Sequence, residues 1–72
     1  MGKKMEFFIY LLEKYAEYKK TSVAETLQIL DKLDLTEFIY NLYEMYHVEA
    51  IENAYADIDE LIRERLVSKK KR

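Results

Sequence analysis

The stretch LTEFIYNLYEMYHVEAIENAYADIDELI, residues 35–62, decides between one long helix and two. In its first half Phe38, Ile39, Leu42, Tyr43 and Tyr46 recur at three- and four-residue spacing, the mark of a helix that buries one face. Continued unbroken, that face next reaches positions 49, 50 and 53, where the chain places Glu49, Ala50 and Asn53. A second seam, Val48, Ile51, Tyr55, Ile58, Ile62 and Leu66, starts in a different phase. The axis must therefore bend or break between His47 and Ala50 if both stripes are to face one core. Asp57 with Glu60 forms a possible cap inside the second half, so residues 48–66 read either as one helix or as a short turn followed by a longer helix.

Working outward, Phe7, Phe8, Leu11, Leu12, Tyr15 and Tyr18 outline an amphipathic helix over about Lys4 to Lys19, closed by two lysines that suit its negative pole. TSVAE then gives a start signal, with Ser22 as N-cap and Glu25 three residues later as its capping-box partner. The helix that follows turns Val23, Leu27, Leu30 and Leu33 inward. Thr36 reads as the next cap, with Leu35 stapled onto Tyr40. The expected fold is all-α: a small bundle of about four short helices, with no strands, in one domain over residues 1–66 and a basic tail over 67–72.

Seventy-two residues bury only about three fifths of their unfolded surface. Wide apolar stripes on so short a chain point to self-association, most simply a homodimer. Half of the residues are hydrophobic and the chain carries a net charge of −2, values of a folded domain. It has no cysteine, which rules out disulfides and thiolate metal sites. No apolar run approaches the roughly 20 residues of a membrane span. Two lysines do precede an apolar segment at the start, but Glu6, Glu13 and Lys14 interrupt it. The expectation is a soluble cytoplasmic protein.

Charge is unevenly spread: residues 25–60 sum to −9 and the remainder to +7. The acidic middle repels a phosphate backbone, and the segment 37–47 carries Glu37 and Glu44 without lysine or arginine. A small DNA-binding regulator built on a helix-turn-helix is thus the weaker alternative, and the lysine-rich end reads as a solvated tail.

Candidate chemistry is sparse. Glu44 and His47 have the Glu-x-x-His spacing of di-iron bundles, but that chemistry needs two such motifs, and the chain has one histidine. A histidine at a helix end, bonded to last-turn carbonyls, is the simpler reading. Asp57, Asp59 and Glu60 lack the alternating oxygens and turn glycine of a calcium loop, and read as cap and solvated face. Neither serine has a flanking base and no glycine-rich phosphate loop exists, so the chain is read as non-enzymatic, without metal or cofactor. Seven tyrosines and three phenylalanines exceed what the core can hold, and surface tyrosines are favoured interface anchors.

The segments MEFFIYLLEKYAEYKK, LTEFIYNLYEMYH and ADIDELI together resemble a family of small bacterial proteins catalogued as domain of unknown function 3791. The resemblance spans about Lys4 to Ile62, most specifically Phe7-Phe8 with Leu12-Glu13, the Tyr43-Glu44 to His47 turn, and Asp57-Ile58-Asp59. Many members carry glycine where this chain has Ala50, which fits a break after His47. The resemblance implies a binding role beside ADP-ribosyltransferase-like proteins, in an arrangement suggestive of toxin and antidote, and it brings no catalytic residue. The expected contact surface is Tyr40, Glu44, Tyr46 and His47 with the acidic positions Asp57 and Asp59. The leading function is a protein-binding antitoxin or adaptor; a structural homodimer with no ligand is a further alternative.

Overall fold

The computed structural model describes residues 2–70, with side chains through Ser68. Among the described residues five helices follow one another: α1 (Lys3–Lys19), α2 (Val23–Lys32), α3 (Thr36–Tyr40), α4 (Tyr43–Tyr46) and α5 (Ile51–Lys70). No strand occurs among the described residues, and the architecture is the expected small all-α bundle. α1 lies against α2, α3 and α4, while α5 closes the core from the side of α4. Phe8, Leu11, Leu12 and Tyr15 of α1 meet Leu30, Leu33, Leu35, Ile39, Tyr46, Ala54 and Ile58 in that core.

The helix ends explain how a chain without interior glycine turns so often. α1 stops at Lys20 in the left-handed conformation (φ 58°), with the Lys20 amide donating to the Glu17 carbonyl and the Thr21 amide to the Ala16 carbonyl. α2 stops the same way at Asp34 (φ 60°), with Asp34 N–H on Asp31 O and Leu35 N–H on Leu30 O. These are two Schellman motifs built without glycine. The second also brings Leu35 into the core, where it and Leu30 are both fully buried. Arg65 of α5 donates to the Leu33 carbonyl at 2.7 Å, giving the end of α2 a further partner.

At the start of α2, Ser22 Oγ accepts from the Glu25 amide at 3.1 Å as its spacing predicts. The reciprocal half of the box is replaced, because the Glu25 carboxylate accepts from the Thr21 hydroxyl instead. Thr36 is not the cap of α3. Leu35 occupies that position without a side-chain cap, and the Thr36 hydroxyl donates to Asp31 across the turn. Tyr40 meets Phe8 edge-on at 5.3 Å.

The expected third helix is split at Asn41–Leu42 into α3 and α4, yet one inward row survives the split. Leu35, Ile39 and Tyr46 are buried and Leu42 half-buried, four positions at heptad-like spacing. Phe38, expected inside, sits one step off that row and is 49% exposed. The break before α5 falls where the two stripes lose phase, at His47–Ala50. Val48, assigned to the new seam, lies in that break and faces water, while Ala54 takes a buried place beside Ile58. Asp57 caps nothing, because α5 runs unbroken from Ile51; residues 48–66 are a short turn over 48–50 followed by one long helix, with no second start at Asp57. Leu66 is half exposed, and the backbone of α5 continues through the start of the expected tail to Lys70. Residues 71–72 of that tail lie outside the described residues.

Candidate functional site

The short α4 helix and the turn after it set the geometry of the opening stretch. His47 is the C-cap of α4, and its Nδ1 lies 2.7 Å from the Tyr43 carbonyl. A carbonyl only accepts, so Nδ1 carries the proton and satisfies a last-turn oxygen. The imidazole also stacks on the Tyr43 ring at 4.4 Å and 10°. Phe7 of α1 meets the same Tyr43 ring edge-on at 5.6 Å. His47 is thereby a joint between α4 and the turn. Glu44 is exposed, and no group of three or more His, Asp or Glu side chains placed to hold a metal ion occurs among the described residues.

Tyr46 leaves the expected contact surface. Its ring is 2% exposed, and its hydroxyl donates to Asp57 Oδ2 at 3.2 Å, pinning α4 to α5. Burial, followed by the Asp57 charge, pushes its pKa up to about 12. Asp59 lies on another side of α5. It accepts from the hydroxyl of buried Tyr15 and pairs with Lys19 at 3.2 Å, tying the end of α1 to α5. Burial and the bond to Asp59 raise the Tyr15 pKa well above the ordinary tyrosine value. Tyr40, half-buried, has Lys4 Nζ 4.8 Å above its ring. The structure therefore joins Tyr46 to Asp57 and His47 to Tyr43, while Tyr40 and Asp59 each pack against α1 in contacts of their own.

Two apolar grooves flank α5, and residue-by-residue reading of the sequence missed both. One, of about 250 Å³, runs between α3–α4 and α5 and is lined by Phe38, Leu42, Met45 and Leu61, with Asp57 and Glu60 at its rim. Phe38 and Met45 are 49% and 46% exposed. Their seven-residue separation, one step off the Leu35–Ile39–Leu42–Tyr46 row, is the signal that finds them. The other groove, of about 450 Å³, lies among α1, α2 and α5 around Ile29, Ile62 and Leu66. Its Tyr15, Lys19 and Asp59 satisfy one another, leaving Arg63 bonded to Glu60 at its edge.

The fold and this surface define a small helical domain whose polar contacts serve its own packing and whose half-exposed apolar side chains collect in grooves. The family model described as "Protein of unknown function (DUF3791)" matches residues 6–65, and the chain belongs to that family. No curated protein and no solved structure matches the chain.

Proposed function

We propose that the chain is a non-enzymatic protein-binding module, acting as an antitoxin or adaptor toward an ADP-ribosyltransferase-like partner. The observation that carries the binding role is the placement of Phe38 and Met45. Each leaves nearly half its surface in water, and both belong to one groove with Leu61 instead of being scattered over the surface. Lone exposed hydrophobics are ordinary, whereas contiguous ones mark interaction sites. The tyrosine and histidine side chains that suggest chemistry are occupied in holding α4 to α5 and in closing a helix end. The partner class comes from the family resemblance, and the acidic middle of the chain suits a basic surface on that partner.

Co-expression of this chain with an ADP-ribosyltransferase-like protein encoded beside it, followed by affinity purification, tests the reading. Stoichiometric recovery of both is expected, with loss of recovery when Phe38 and Met45 are both changed to Ala in a chain that keeps its helical circular dichroism. If two folded proteins fail to co-purify, the partner class is wrong. Full retention by the double variant removes this groove as the contact surface.

A further inference from the structure

The two grooves beside α5 differ in charge. Between residues 33 and 62 the sequence has eight Asp or Glu residues and no Lys or Arg. Two of those eight are matched by cations from outside the segment, Asp59 by Lys19 and Glu60 by Arg63. Asp57, in the lining of the Phe38–Met45 groove, receives among the described residues only the neutral Tyr46 hydroxyl, at 3.2 Å. Glu37 and Glu44 are exposed on the helices that carry Phe38 and Met45, and among the described residues neither has an ion-pair partner. The result is an apolar furrow flanked mostly by acid, with Arg63 on Glu60 and Lys4 on Asn41 as the cations beside it.

We infer that the groove formed by Phe38, Leu42, Met45 and Leu61 is a docking site for a basic amphipathic helix of another protein. The inference rests on the protein-binding reading above and adds the chemistry of what binds.

Three observations select this occupant. At about 250 Å³ the groove falls below the roughly 300–1,000 Å³ of small-molecule sites, so it seats side-chain anchors better than a whole ligand. Its walls are α3–α4 on one side and α5 on the other, and with no strand edge among the described residues an added strand has nothing to pair with. A polyproline segment calls for an aromatic-lined groove and this one is mainly aliphatic, which favours helix-in-groove recognition, with apolar anchors at i, i+3 or i+4, and i+7. Met45 is the adaptable, polarizable wall such sites use.

Charge then fixes the sign of the partner. A helix with Lys or Arg beside its anchors meets Asp57 in the lining, with Glu37 and Glu44 exposed on the same α3–α4 wall, whereas an acidic helix is repelled. A second copy of this chain fits poorly, because a two-fold contact through this face sets each patch against itself and places acid on acid.

The test uses two synthetic peptides of fourteen residues, built from Leu at helical anchor spacing with Lys elsewhere, or with Glu in place of every Lys. Binding to the intact chain is followed by fluorescence anisotropy and by amide chemical shifts. The Lys peptide is expected to saturate, to shift amides around Phe38, Met45 and Leu61, and to weaken about tenfold or more from low to high salt as rim charges are screened. Met45→Lys, at a half-exposed position the fold does not bury, is expected to abolish binding, and Leu66→Ala in the other groove to leave it unchanged. Equal binding of the Glu peptide, or binding of the Lys peptide that survives Met45→Lys, overturns the inference. So does a shift pattern centred on Ile29 and Leu66, although that outcome leaves the protein-binding reading standing. Sedimentation that shows a dimer dissociated by Met45→Lys also overturns it, by giving the groove to a second copy.

Discussion

Lys20 is the position where the backbone geometry makes its sharpest demand on the sequence. It ends α1 at φ 58° with its side chain exposed, and it forms no ion pair among the described residues. A side chain with a Cβ costs about 1–2 kcal/mol in this conformation. Glycine removes that cost but returns about 0.5–1 kcal/mol through the greater freedom of its unfolded state. Lys20→Gly also discards a cation near the negative pole of α1, about 0.3–1 kcal/mol in the other direction. Lys20→Ala discards the same cation while keeping the Cβ, so the comparison between the two variants isolates the backbone. Lys20→Gly is expected to be more stable than Lys20→Ala by about 0.5–1 kcal/mol. For a domain of this size that difference is about 2–8 °C in the midpoint of thermal unfolding. Circular dichroism melts of both variants, at one protein concentration and one pH, measure it. An alanine variant as stable as the glycine variant would refute the left-handed stop and with it the Schellman geometry that turns α1 into α2.

Leu35→Ala removes a fully buried side chain at the start of α3 and should cost about 2–5 kcal/mol. Against a total of roughly 4–11 kcal/mol for 72 residues, urea unfolding should show a midpoint shifted far down or no folded baseline. Alkaline pH should unfold the protein through its buried tyrosines. The folded pKa of Tyr46, pushed up to about 12, lies above the ordinary value of 10, so its contribution is complete below about pH 10 and is lost as pH rises toward 12. Tyr46→Phe should flatten part of that loss in denaturant titrations along the pH axis, and an unchanged slope would contradict the burial of Tyr46 beside Asp57.

How much of this was legible follows from the range of each interaction. Ser22 capping the Glu25 amide, and His47 closing the turn at Tyr43, each join groups three or four residues apart, and local spacing was enough to find both. The break before Ile51 was legible because two long stripes disagree in phase over many residues. Facing failed where helices were short: a five-residue α3 completes barely more than one turn, so its pattern fixes no inward side, and Leu35 and Ile39 went in while Phe38 stayed out. The stops at Lys20 and Asp34 carry no glycine to announce them, and the rest of the fold holds them in place.

The same limit governs the candidate site. Tyr46 and Asp57 are eleven residues apart and Tyr15 and Asp59 are forty-four, so no local pattern could pair them. Read alone, Tyr15 belongs to the inward stripe of the first helix, Tyr46 to both an inward stripe and the expected contact surface, and the two aspartates to a surface acidic cluster. Once paired, the tyrosines become fastenings of α5. Asp59 spends its charge on Lys19, whereas Asp57 keeps its own beside the apolar groove. Beside it stand Phe38 and Met45, each about half exposed and both in one groove. In the sequence Phe38 reads as part of the inward stripe and Met45 belongs to no stripe, because an exposed apolar side chain and a buried one differ in no letter of the chain.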